Sequence, residues 1–145
     1  MKVVLQRVAR AEVRVRDHEP AAIGKGLLLL VGLAEGDTRE ASIWMADKIA
    51  GLRVFQDPEG LMNLALGDVG GRCLVISQFT LLGDTRKGRR PSFVKAMAPD
   101  QAETMFDEFC EMLADRVGPV ETGVFGAHMD VELVNDGPVT LVLER

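Results

Sequence analysis

The hydropathy pattern of this chain predicts an α+β fold with largely antiparallel sheets. Three observations carry that expectation. Several short segments alternate apolar and polar residues with the period of two of a half-buried strand. Two longer segments carry apolar residues at helical spacing, and the two kinds of segment do not alternate strictly along the chain. A length of 145 residues with 47% hydrophobic content suits a single domain over 1–145 with a substantial core.

Taken in order, Ala11, Val13 and Val15 alternate with Glu12, Arg14 and Arg16, and Asp17-His18-Glu19-Pro20 then breaks the strand. Gly26 to Leu33 reads as a strand buried on both faces. Asp37, with Glu40 three residues on, resembles a capping box that opens a helix through Ile43, Ala46, Ile49 and Ala50 and stops near Gly51. Arg53 to Leu64 reads as a hairpin around Asp57-Pro58-Glu59-Gly60. Gly70-Gly71 precedes a strand from Arg72 to Phe79, which delivers Ser77 and Thr80 to its C-terminal end. After Pro99, apolar residues at Ala102, Met105, Phe106, Phe109, Met112 and Leu113 form the stripe of an amphipathic helix that ends before Gly118-Pro119. Val120 to Val124, Met129 to Val134 and Val139 to Leu143 read as three further strands, with Met129, Val131 and Leu133 on one face. There is no repeat, linker or low-complexity tract.

Composition narrows the function classes. The N-terminus lacks the apolar run of a signal peptide, and no stretch approaches the roughly 20 apolar residues of a membrane span, so a soluble, cytoplasmic protein is expected. Cys73 and Cys110 show no metal-ligand or C-x-x-C spacing and read as buried free thiols; no metal is expected. A net charge of −5 argues against general affinity for nucleic acid. Against that background Arg86, Lys87, Arg89 and Arg90 place four cations within five residues. Such a run is commonly a solvated loop, and beside a site it would steer and hold phosphates. It lacks the interleaved aromatics of a stacking platform.

The usual hydrolase signs are missing. There is no G-x-S-x-G or H-E-x-x-H, and the two histidines, His18 in a turn and His128 beside a glycine-rich bend, do not suggest a triad. Hydroxyls and amides gather instead in Ser77-Gln78-Phe79-Thr80-Leu81 and Asn135-Asp136-Gly137-Pro138-Val139-Thr140. Singly, these read as a strand end and a tight turn.

Together the two segments resemble the signature motifs of the D-aminoacyl-tRNA deacylase family, enzymes that free tRNA from D-amino acids. The resemblance extends through Val4 to Val8, Gly26 to Gly32, Lys87 to Phe93 and Thr122 to Met129. Leu82 stands where the family has an aromatic and Ala65 where a serine is usual; neither is a signature residue.

The resemblance implies a compact β-rich, barrel-like domain with two main helices packed outside, acting without a cofactor. It implies a pocket around the terminal adenosine and ester in which Ser77, Gln78, Phe79 and Thr80 are the catalytic segment, with backbone N–H groups near Phe79 and Thr80 facing the oxyanion. Phe125, Ala127 and Met129 would line the substrate pocket, and Arg86, Lys87, Arg89 and Arg90 would contact tRNA. A cis Gly137-Pro138 would present carbonyls into the pocket of a homodimeric partner, excluding L side chains, so that glycyl-tRNA is also a substrate. An aminoacyl ester is already activated, so positioned water and oxyanion stabilisation can suffice. Two alternatives stay open: an esterase with Thr80 as nucleophile on another aminoacyl ester, and a non-catalytic RNA or amino-acid binding module.

Overall fold

A computed structural model describes residues 1–145. Its scaffold is a mixed sheet built around one long strand, β1 (Lys2–Val15). Strand β1 pairs antiparallel with β2 (Ala21–Ile23) and β3 (Gly26–Gly32) along one side and with β8 (Met129–Glu144) along the other. Beyond β3 lie β6 (Arg72–Ser77) and β7 (Glu121–Thr122), each parallel to its neighbour. The fold class therefore agrees with the expectation, with a parallel element that hydropathy alone does not reveal. Parallel neighbours require long crossovers. The β3–β6 crossover carries helix α1 (Arg39–Gly51) and the hairpin β4 (Phe55–Gln56) to β5 (Met62–Leu64); the β6–β7 crossover carries α2 (Pro99–Val117).

The sheet has two apolar faces. On one, Val3, Leu5, Leu27, Leu29 and Val75 pack beneath both helices. On the other, Val8, Ala11, Val13, Leu28, Leu74 and Ile76 form a smaller core. Strand β1 serves both because its register shifts between Gln6 and Arg10, which carries its buried side from one face to the other.

Helix α2 follows its stripe: Ala102, Phe106, Phe109, Met112 and Leu113 are buried, and Gly118 ends it at φ 83°. The start of α1 differs from the expected capping box. Its N-cap is Thr38, and the Asp37 carboxylate instead accepts the Ala34 N–H at 2.7 Å, so Asp37 closes the preceding turn. The hairpin turn is held by Asp57, whose Oδ1 accepts the N–H groups of Glu59 at 3.0 Å and Leu61 at 2.9 Å.

Two expectations about strands need correction. Strand β6 stops at Ser77, and Phe79–Leu82 form a 3₁₀ turn, so Thr80 lies in that turn rather than at a strand end. The last two predicted strands are one, β8, which pairs with β1 on both sides of residues 136–139. Gly-Pro reads locally as a stop. Here the Asn135 side chain bridges the interruption, with Nδ2 donating to the Val139 carbonyl and Oδ1 accepting the Val139 N–H at 2.9 Å.

Burial pushes the Cys73 and Cys110 thiols up to about 12. Both thiols should therefore resist alkylation by iodoacetamide at pH 8 in the folded protein and react on unfolding. Because the unfolded thiols ionise first, stability should be unaffected by them below pH ~9 and fall as pH rises above it. Rapid alkylation of the native protein would contradict this burial.

Candidate functional site

The C-terminal ends of the parallel strands β3 and β6 open into a cavity of about 580 Å³. Val31 and Leu33 form one wall and Ile76 and Ser77 the next, while Ala102 and Phe106 close the side toward α2. Phe125 and Ala127, from the loop before β8, and Met129 and Val131, at its start, complete the lining. The cavity is mainly apolar, and its polar lining comes from Ser77, Gln78 and the rim residue His128, whose ring is 94% exposed. At the mouth, Phe79 meets Phe93 edge to face with ring centroids 5.1 Å apart. Gly83 permits this approach, since a Cβ there would lie 2.9 Å from the Phe93 ring.

The 3₁₀ turn after β6 supplies the polar edge. Gln78 donates its N–H to the Val31 carbonyl at 2.7 Å, extending the β3–β6 pairing by one residue. The next two N–H groups, of Phe79 and Thr80, open this turn and have no acceptor within it, as for the first residues of any helical turn. The Gln78 amide Nε2 donates to Thr80 Oγ1, and Thr80 is exposed and does not line the cavity. No carboxylate or imidazole hydrogen-bonds to that hydroxyl. No group of three or more His, Cys, Asp or Glu side chains is gathered as a metal site.

Gly137 and Pro138 also do not line their own chain's cavity. Their peptide bond is cis, both residues are exposed, and Gly137 has φ 132°. Behind them Arg7 is only 4% exposed. Its Nε donates to the Asp136 carbonyl at 3.0 Å, with the Asp136 carboxylate 3.3 Å away, and its Nη1 donates to the Val54 carbonyl. A Cβ on Gly137 would come within 2.7 Å of Arg7 Nη2.

The basic residues sit on a loop whose base is closed by two hydrogen bonds between the Asp84 and Ser92 backbones, at 2.8 and 2.9 Å. The loop leaves the 3₁₀ turn at Gly83 and returns at Phe93, so it flanks the cavity mouth. Arg86 is bound to Asp84, and its side-chain and backbone hydrogen bonds hold the Asp84 carboxyl well below the usual range.

Of the residues singled out in the sequence, Ser77, Gln78, Phe79, Phe125, Ala127 and Met129 converge on the cavity. Thr80, Gly137, Pro138, Arg86, Lys87, Arg89 and Arg90 do not line it. Sequence reasoning passed over Phe93 and Met97. Phe93 ends one of the resembling stretches, which was a usable signal, whereas Met97 carried none. Phe106 falls in the α2 stripe and reads as core, yet it also forms a cavity wall.

An apolar cavity edged by the opening of a 3₁₀ turn and flanked by cations suits an enzyme that holds a ligand with an apolar body and an acyl or anionic end. The family model described as D-Tyr-tRNA(Tyr) deacylase matches residues 4–144. A relative from Thermomicrobium roseum, named D-aminoacyl-tRNA deacylase, is 56% identical over 144 residues, covering 99% of this chain and 94% of the relative. One of the same name from an Exiguobacterium species is 57% identical over 145 residues, covering 100% and 99%. The solved structure of the c-Myc DNA Unwinding Element Binding Protein superposes with a TM-score of 0.94 at 41% identity, covering 100% of this chain and 99% of its own. The chain belongs to the D-Tyr-tRNA(Tyr) deacylase family, and so to the hydrolases that act on an ester bond.

Replacing Arg7 with Leu should destabilise the protein by about 2 to 4 kcal/mol in urea unfolding, because the Val54 and Asp136 carbonyls lose their donor. Arg7→Lys should recover only part of that, since one ammonium cannot reach both sides of the fork. A Leu variant as stable as the parent would mean that these bonds contribute nothing net.

Proposed function

We propose that this protein hydrolyses the ester of D-aminoacyl-tRNA, releasing tRNA and the free D-amino acid, and does so as a cytoplasmic homodimer. The observation that carries the reading is the 3₁₀ turn that opens at Phe79 and Thr80, with its leading N–H groups, beside an apolar cavity. Bound with its carbonyl oxygen at that pair, the ester would develop negative charge beside two backbone donors. The terminal adenosine occupies the apolar lining, and the cations of the 86–90 loop hold the acceptor-end phosphates. Water attacks the carbonyl carbon, the carbonyl π electrons move to oxygen, and collapse expels the ribose 3′-oxygen, which takes up the proton that the attacking water gives up. The adjacent 2′-hydroxyl of the substrate assists the water, which suits a site with no base on Thr80.

In this reading L-aminoacyl-tRNA is rejected by the Gly137-Pro138 segment of a partner subunit. Its exposure and its absence from the lining of its own cavity support a role in trans, and Arg7 behind it supplies the rigidity that steric exclusion needs. Exclusion by main chain leaves glycine acceptable, since glycine has no side chain to exclude.

Deacylation assays with matched substrates test this. D-aminoacyl-tRNA and glycyl-tRNA should be cleared and L-alanyl-tRNA left intact; uncleaved glycyl-tRNA would show direct recognition of the D side chain instead. Thr80→Ala should retain activity within about tenfold, the worth of one neutral hydrogen bond. Complete loss with normal tRNA binding would make Thr80 the nucleophile.

A further inference from the structure

The four cations of the 86–90 loop are not equivalent. Asp84 Oδ1 accepts the Arg86 backbone N–H at 3.0 Å and its Nε at 2.9 Å, while Oδ2 lies 3.1 Å from Nε and accepts from Nη2. The carboxylate thus caps the turn and grips the guanidinium side-on with the same group. Lys87, Arg89 and Arg90 form no ion pair, and neither does Lys95, which lies near Asp84. Counterion release counts the charge that a protein brings to phosphate, and a guanidinium already joined to a carboxylate brings little.

We propose that Asp84 neutralises Arg86, so that Lys87, Arg89 and Arg90 carry the phosphate contacts with tRNA. The proposal rests on the reading that this loop binds tRNA. Gly88, at φ 71°, turns the chain between these cations, and the paired Asp84 and Ser92 backbones keep the turn beside Phe93 at the cavity mouth. Arg86 thus stands on the loop with its charge cancelled by Asp84.

Equilibrium binding of uncharged tRNA by the full chain, measured from 50 to 200 mM salt, separates these roles. Each lost phosphate contact lowers the slope of log K against log salt by roughly 0.7 to 0.9. The triple variant K87Q/R89Q/R90Q should therefore bind with a slope shallower by about 2 to 3. R86Q should leave the slope unchanged, and D84N, which uncovers the Arg86 charge, should steepen it by up to about 1. An R86Q slope as shallow as that of R89Q, or a D84N slope equal to the parent's, overturns the assignment to Asp84. An unchanged slope in the triple variant instead overturns the underlying reading of the loop as a tRNA contact.

Discussion

Arg7 lies out of water, 4% exposed, at the next inward position of β1 after Val3 and Leu5. A cation there would be costly without partners, and removing one partner of such a group typically costs several kcal/mol. The protein meets this by interrupting β8 opposite it. Residues 136–139 bow out of the ladder, which lets the Asp136 carbonyl and carboxylate turn toward the guanidinium while Val54 offers its carbonyl from the other side. One side chain therefore ties together β1, the entry to the hairpin and the protruding Gly137-Pro138 segment. The same interruption accompanies the register shift by which β1 serves both cores.

The cavity and the protrusion belong to different parts of one sheet. The cavity forms where β3 and β6 end, because two parallel strands that stop together leave adjacent carboxyl ends uncovered. The 3₁₀ turn that follows Ser77 leaves its leading N–H groups without acceptors inside the turn at that edge and demands no reactive side chain. A site of this kind suits an acyl group that is already activated, for which orientation and oxyanion stabilisation account for most of the barrier lowering. The absence of a triad from the sequence is thus consistent with the chemistry.

Much of this was legible in the sequence, and the failures have physical causes. The α2 stripe and the buried run of β3 are strong local signals and appear where they were expected. Asp37 and Glu40 mimic a capping box, yet Asp37 has a better partner in the Ala34 N–H, so Thr38 becomes the cap. Gly137-Pro138 reads as a break between strands because the partner that accommodates it, Arg7, lies 130 positions earlier. The charge run at 86–90 was visible, while the cancellation of Arg86 by Asp84 depends on a turn geometry that residue types do not dictate. Met97 reaches the cavity only because the Leu33 carbonyl accepts its N–H, a long-range bond with no local signature. The signature segments owe their functional meaning to family resemblance, since spacing alone suggests a strand end and a turn.

The central claim is that a cavity in one subunit is completed by the Gly137-Pro138 segment of another, and subunit complementation tests it most directly. Ala127→Trp would fill the cavity, and Gly137→Val would bring a side chain against Arg7 and distort the protrusion. Each variant alone should be inactive on D-aminoacyl-tRNA. After unfolding and refolding together in equal amounts, half of the dimers are mixed and each holds one intact site, so about a quarter of the parent activity should return. Activity that stays at the level of the separate variants in dimers shown to be mixed would contradict completion of the site in trans.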